Sequence, residues 1–282
     1  MSIQPSYIVW QVDPYLFSDL SFVRWYGVMW ALGILMGMQV MAYIYRKEGK
    51  PKEELERLSL YIILGTVLGA RLGHILFYDP WYYLANPVEI LPIRIEPHFE
   101  FTGLAGLASH GGAIGLLLAL YLFCTKYKTS FSWIVDRLVI IGALTGSFIR
   151  LGNLMNSEVI GTPTHVPWAF IFTRVDLIPR HPAQLYEALF YLLLFFTLFS
   201  IWKRNGFQDR NHLSLGVFLV SLFSFRFLVE FIKEDQAAFE ASFALNMGQM
   251  LSIPFILLGI IVIVLSFQSK KNATTKHSQA LL

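Results

Sequence analysis

LVIIGALTGSFIRLGNLMNS, residues 138–157, is an apolar run long enough to cross a bilayer as a helix, yet it carries Arg150, Asn153 and Asn156. A guanidinium inside such a run costs several kcal/mol, of order 3, unless it is paired or hydrated, so the cluster marks a candidate functional site. Arg150, Asn153 and Asn156 recur at i, i+3 and i+6, roughly one face of a continuing helix. One cation and two amides on a face suit a phosphate and its ester oxygens.

Outward from this stretch the pattern repeats. Of 282 residues, 55% are hydrophobic and 15% charged, and the mean hydropathy is +0.54. A soluble domain carries about 25% charged residues, so the composition points to membrane. Seven apolar spans are read at about 22–45, 58–78, 103–125, 138–157, 183–202, 214–232 and 247–267. The fold class expected is a single all-α polytopic membrane domain over residues 1–282. The connections 46–57, 126–137, 203–213 and 268–282 hold fourteen Lys and Arg, against four in 1–21, 79–102, 158–182 and 233–246. Basic loops stay in the cytoplasm, so the N-terminus is expected outside and the C-terminus inside. The first twenty residues hold Asp13 and Asp19 but no basic residue, so no cleaved signal peptide is expected. The basic residues lie in short loops, which argues against nucleic acid. One cysteine, Cys124, excludes an internal disulfide. The polar tail from Ser266 to Leu282 is expected to be loose.

Depth sorts the embedded polar groups. Arg71, Arg150 and Arg226 each lie about 6–7 residues from the outer end of their span, roughly 10 Å below the surface. His110 sits at a comparable depth, with Tyr26, Asn153, Asn156, Glu158, His181, Gln184, Glu187 and Glu230 at similar or shallower levels. The inner halves are nearly free of charge. Arg226 and Glu230 are four apart and suited to pair on one helix face. A structural ion-pair network is one reading; an outward-opening site is the other. A transporter predicts polar groups at both levels, commonly with internal repeats, and neither is seen. Pro80, Trp81, Tyr82 and Tyr83 form an interfacial belt that either caps the bundle or gates it.

Four motifs carry the polar groups. Gly103 to Gly115 is rich in small residues around His110, which suits close helix packing and leaves room beside an imidazole able to act as a base. Arg150 to Gly161 is the second. Arg180-His181-Pro182-Ala183-Gln184-Leu185-Tyr186-Glu187 is the third, with Pro182 placed to open a helix. Phe225 to Asp235 is the fourth.

Together with Arg24-Trp25-Tyr26-Gly27 and Gly69-Ala70-Arg71-Leu72-Gly73, these motifs resemble the bacterial prolipoprotein diacylglyceryl transferases from about Val23 to Asp235. The family signature is Gly-Arg-x-Gly-Asn-Phe-x-Asn-x-Glu-x-x-Gly. Arg150, Gly152, Asn153, Asn156, Glu158 and Gly161 match it; Ile149 and Leu154 depart from it, as do Ser109 and Leu222 from aromatic residues common elsewhere in the family. The resemblance implies transfer of a diacylglyceryl group from phosphatidylglycerol to the acceptor cysteine of a prolipoprotein signal region, at the outer face of a bacterial inner membrane. It implies catalytic roles for His110, Arg150 and Arg226. It implies phosphatidylglycerol binding by Arg150, Asn153, Asn156, Glu158, Arg71, Tyr26 and Glu230, with secondary roles for His181, Gln184 and Glu187. Glu187 is expected to hold His181 or an arginine. No cofactor is implied, and no His/Cys metal spacing appears. Cys124 reads as filler, since the reacting thiol belongs to the substrate.

Overall fold

The computed structural model describes residues 7–17, 23–91, 93–94, 100–101, 106–204, 212–234 and 245–279. Gly103 to Ala105 of the first motif and Asp235 of the fourth lie outside the described residues. The protein is all-α in character. Its helices are α1 (Trp25–Lys47), α2 (Lys52–Phe77), α3 (Pro80–Ala85), α4 (Ser109–Tyr127), α5 (Phe131–Asn156), α6 (Ala183–Lys203), α7 (Leu213–Val229) and α8 (Met247–Gln279). Six of them, α1, α2, α5, α6, α7 with its following turn, and the first part of α8, are long and apolar enough to cross a membrane. Large apolar side chains such as Leu68, Leu72, Leu193, Phe196, Leu257 and Ile261 stand exposed on these helices. Hydrocarbon, not water, is the solvent such faces fit.

Five short strands occupy the connections: β1 (Ile8–Trp10), β2 (Ile93–Arg94), β3 (Glu100–Phe101), β4 (Phe170–Phe172) and β5 (Pro179–Arg180). β1, β4 and β5 form one sheet in that order, and β2 pairs with β3. The chain divides into two compact units, one of residues 1–41 with 135–282, the other of 42–134.

In the 42–134 unit, α2 begins with Glu53 and Glu54 in its first turn, where carboxylates complement the helix dipole. It packs on α4 through glycine. Gly65, Gly69 and Gly73 recur every four residues on α2 and face Gly111 and Gly115 of α4. A Cβ at Gly69 would lie 2.5 Å from the Gly111 carbonyl oxygen and 2.7 Å from Gly115 Cα; one at Gly73 would lie 2.7 Å from Gly111 Cα. Backbones this close gain their packing from the missing side chains. Gly69→Leu is therefore expected to destabilise by at least about 1–3 kcal/mol through overpacking. At Gly27 a Cβ meets nothing within 4 Å, so Gly27→Leu is the matched control. Equal thermal stability of the two variants in detergent would count against this packing.

α4 starts at Ser109, later than the apolar run that opens at residue 103. Gly106 is left-handed, at φ +72, and a Cβ there would lie 2.5 Å from His74 Nε2, so the helix does not pass through it. His110 consequently occupies the first turn of α4 and not the middle of a helix.

In the other unit, α7 and α8 also meet at glycines: a Cβ at Gly216 would lie 2.6 Å from Ile263 Cγ1, and one at Gly259 2.8 Å from Val220 Cγ2. The buried Asp136 of α5 accepts the backbone N–H groups of His212 (2.7 Å) and Leu215 (3.1 Å), capping the start of α7. α8 runs through the polar tail to Gln279, where no glycine or proline interrupts it.

Candidate active site

The site in the 1–41 and 135–282 unit is built on the turn that ends α5. Glu158 lies between Ser157 (φ 56) and Val159 (φ 57), both left-handed. For a β-branched valine this backbone is strained, by about 1–3 kcal/mol, and such strain persists only where surrounding structure over-determines it. The surroundings are on both sides. Gly161 N–H donates to His181 O (2.9 Å), Thr162 N–H to Ile232 O (2.9 Å) and Glu234 N–H to Ile160 O (3.2 Å). Beneath the turn, Leu154, Ile160, Phe170 and Phe172 form a buried apolar cluster with Trp10 and Leu185 against it. Trp10 Nε1 ties the strand to α5 by donating to Leu154 O at 3.0 Å. The β1–β4–β5 sheet thus holds the end of α5 in a conformation that local propensity opposes.

On that frame the polar side chains converge. Arg150 Nη1 donates to Asn153 Oδ1 (3.2 Å). Asn153 Nδ2 (3.3 Å) and Asn156 Nδ2 (3.0 Å) both donate to the Glu158 carboxylate. Gln184, fully buried, donates from Nε2 to the Glu158 carbonyl at 2.6 Å. Asn156 Oδ1, Ser157 Oγ and Gln184 Oε1 are buried with no hydrogen-bond partner among the described residues. Tyr26 packs on the glycine between them: a Cβ at Gly152 would lie 3.0 Å from Tyr26 Cδ2.

A chain of alternating charges runs on from Arg150. Its Nε lies 3.1 Å from Glu187 Oε2, and Glu187 Oε1 lies 3.1 Å from Lys233 Nζ. Lys233 Nζ lies 3.0 Å from Glu230 Oε1, which also faces Arg226 Nε at 3.7 Å. Asn246 Nδ2 donates to Glu230 Oε2 at 3.2 Å. Gly248 makes room for this carboxylate, since a Cβ there would lie 2.5 Å from Glu230 Oε1. Glu187, Lys233 and Glu230 are buried, with side chains 0%, 3% and 7% exposed, whereas Arg226 is 34% exposed. Of the two partners expected for Glu187, the arginine is the one it meets. His181 instead faces Tyr186: Trp168 Nε1 donates to the Tyr186 hydroxyl (2.8 Å), which lies 3.2 Å from His181 Nδ1. Burial lowers the His181 pKa below the ordinary imidazole value. Lys233 and Asn246 did not stand out in the sequence. Lys233 reads there as one more loop charge, and only the 3-10 turn Glu230–Ile232 after α7 carries it back among the carboxylates.

Arg180 clasps the outer connection. It donates to Asp176 (Nη2 to Oδ2, 2.6 Å), to Glu234 and to Gly161 O (3.3 Å). These Arg180 hydrogen bonds hold the Asp176 carboxyl below its usual range.

In the 42–134 unit, Arg71 anchors a connection. Its guanidinium donates to Ile90 O (3.0 Å), Glu89 O (2.5 Å) and Gly106 O (3.4 Å) and lies 5.1 Å from the Tyr83 ring centroid. Ala108 N–H donates to Ala70 O (2.9 Å), fixing the entry to α4. His110 is exposed, and its imidazole makes no hydrogen bond among the described residues.

Chemically, the first unit offers two guanidinium groups held from behind through Nε by buried carboxylates, flanked by amides: an anion-holding set. The second offers an unengaged imidazole suited to proton transfer. Comparison with known proteins agrees with that chemistry. The chain is 48% identical over 257 residues to a phosphatidylglycerol–prolipoprotein diacylglyceryl transferase of Bacteroides fragilis, covering 90% of this chain and 93% of the relative. It is 47% identical over 265 residues to that of Tolumonas auensis (93% and 99% covered) and 46% over 271 residues to that of Chloroherpeton thalassium (95% and 96%). The family model for prolipoprotein diacylglyceryl transferase matches residues 14–265, and the chain belongs to that family.

Proposed function

We propose that this chain transfers the diacylglyceryl group of phosphatidylglycerol to the thiol of an acceptor cysteine in a prolipoprotein signal region. The observation that carries the reading is the alternating ion-pair chain, which holds Arg150 and Arg226 through their Nε atoms. The Nη nitrogens of Arg226 have no protein partner among the described residues and are available to a phosphate.

In this reading His110 takes the thiol proton. A free thiol has a pKa of about 8.5, and the thiolate is the nucleophile. The thiolate attacks the glyceryl carbon bonded to phosphate oxygen, a C–S bond forms, and the C–O bond breaks. Glycerol phosphate leaves with the electron pair, stabilised by Arg150 and Arg226. Asn153, Asn156, Glu158 and Tyr26 orient the headgroup, and Glu230 holds Arg226. Arg71 acts through the Gly106 carbonyl, on the approach to the first turn of α4 that bears His110. Gln184 supports Glu158, Glu187 supports Arg150, and His181 braces the start of α6.

The proposed topology has seven spans with α4 as the third, the N-terminus outside and the C-terminus cytoplasmic, in a bacterial inner membrane. The site then opens to the outer face, where an exported precursor arrives. Purified protein with phosphatidylglycerol vesicles and a lipobox peptide is expected to release glycerol phosphate as the peptide gains the diacylglyceryl mass. No release would overturn the assignment. His110→Gln is expected to lower turnover by about a hundredfold and to change its pH–rate profile. Near-normal turnover with an unchanged profile would sink the base role.

A further inference from the structure

Lys233 is a buried ammonium that the proposed reaction does not use. Its side chain is 3% exposed, and its Nζ lies 3.1 Å from Glu187 Oε1 and 3.0 Å from Glu230 Oε1. Burying an ammonium in a membrane bundle is expensive unless it is paired, and such a group is retained for a reason. Its backbone bridges to Gly161, so its position is tied to the strained turn that bears Glu158. The ion pairs run Arg150, Glu187, Lys233, Glu230, Arg226: three cations and two carboxylates, one positive charge in excess. Without Lys233 the two arginines and two carboxylates would balance. Glu187, which holds Lys233 on Oε1 and Arg150 on Oε2, would then be free to turn and grip Arg150 with both oxygens, the geometry a guanidinium prefers, whereas Asn246 still holds Oε2 of Glu230. A grip through Nε and one Nη, with Nη1 also on Asn153, takes a further N–H group of Arg150 away from phosphate.

We infer that Lys233 is a positioning residue that keeps the Arg150 fork open for an anionic phosphate, by occupying the Glu187 oxygen that Arg150 does not use and by leaving one positive charge in excess. The inference rests on the proposed reading of this site as the holder of a phospholipid phosphate. A purely structural lysine, bracing α6 against the end of α7, would behave differently when the charge balance is restored by other means.

The test uses the full chain in phosphatidylglycerol vesicles with a lipobox peptide, comparing Lys233→Met, Lys233→Arg and the double variant Lys233→Met/Glu187→Gln. Lys233→Met is expected to lose about a hundredfold in kcat/KM, with a rise in the KM for phosphatidylglycerol. Lys233→Arg, which keeps the charge and reaches both carboxylates, is expected to return to within about fivefold of the native chain. The double variant again has one cation in excess and is expected to recover at least about tenfold over Lys233→Met. A double variant as poor as Lys233→Met, or a Lys233→Met variant with an unchanged KM, would overturn the inference. A second arm measures thermal stabilisation by phosphatidylglycerol against phosphatidylcholine. Lys233→Met is expected to lose this lipid-specific stabilisation while Lys233→Arg keeps it; equal stabilisation of the native chain and Lys233→Met overturns the inference. If the native chain releases no glycerol phosphate, the activity assignment falls, and the stabilisation arm alone decides the role of Lys233.

Discussion

Replacing Arg150 with lysine is expected to lower kcat/KM for diacylglyceryl transfer by about a thousandfold while leaving the protein folded. The structure gives the reason. Arg150 works in several directions at once: its Nε meets Glu187 Oε2 at 3.1 Å, its Nη1 donates to Asn153 at 3.2 Å, and its fork carries three further N–H groups. Lysine has one nitrogen on a flexible stem. It can satisfy the buried Glu187 or reach a phosphate, and the nearby carboxylate wins in the absence of lipid. Folding is preserved because the ammonium still neutralises Glu187. The loss therefore falls on the transition state, where charge on the departing glycerol phosphate needs donors already in place. The measurement is steady-state kinetics with phosphatidylglycerol vesicles, beside a thermal melt of each protein. Turnover within about tenfold of the native chain would show that Arg150 contributes charge and not fork geometry.

Six membrane-length helices were legible in the sequence because length and hydropathy alone decide whether a segment is long and apolar enough to cross a bilayer. Pairing was legible where spacing fixes it, as for Arg226 in the last turn of α7 and Glu230 four residues on, in the turn that follows it. Other features depend on backbone conformation or on distant partners. Gly106 ends the approach to α4 through a positive φ, which no hydropathy window detects, so an apolar run opening at 103 becomes a helix from Ser109. The β1–β4–β5 sheet is built from strands of two or three residues within the connections, too short to show a period. Its register, with Ile8 opposite Phe170 and Phe170 opposite Arg180, joins segments far apart in the chain.

The strained turn after α5 follows from that sheet. Asn153, Asn156 and Glu158 were recognisable as a polar group, but their convergence on one carboxylate needs Ser157 and Val159 in the left-handed region. Nothing in the residue types announces this; valine argues against it. Lys233 was hidden for a related reason. Counted along the chain it belongs to an outer connection, and only its bridge to Gly161 and the turn before it bring it between two carboxylates. Composition and spacing thus singled out the polar residues, and tertiary contacts show which of them meet.

The largest effect on stability is expected from Glu187→Ala. Glu187 is fully buried on α6 and is shared by Arg150 Nε at 3.1 Å, Lys233 Nζ at 3.1 Å and the Tyr191 hydroxyl at 3.4 Å. Alanine removes the one anion between the partly buried Arg150 and the buried Lys233, leaving Arg150 with Asn153 and Lys233 with Glu230. Removing one partner of a buried pair strands the other charge, at a cost of about 3–5 kcal/mol. The two stranded cations also repel each other, so α6 and the end of α7 are expected to separate first. Glu187→Gln keeps the shape and one acceptor, and is expected to cost less than half as much. Reversible unfolding in mixed micelles gives the two free energies directly, and limited proteolysis at the α6 and α7 ends reports where opening begins. If Glu187→Ala unfolds within about 0.5 kcal/mol of the native chain, the charges are hydrated in the folded state and the ion-pair chain does not hold these helices together.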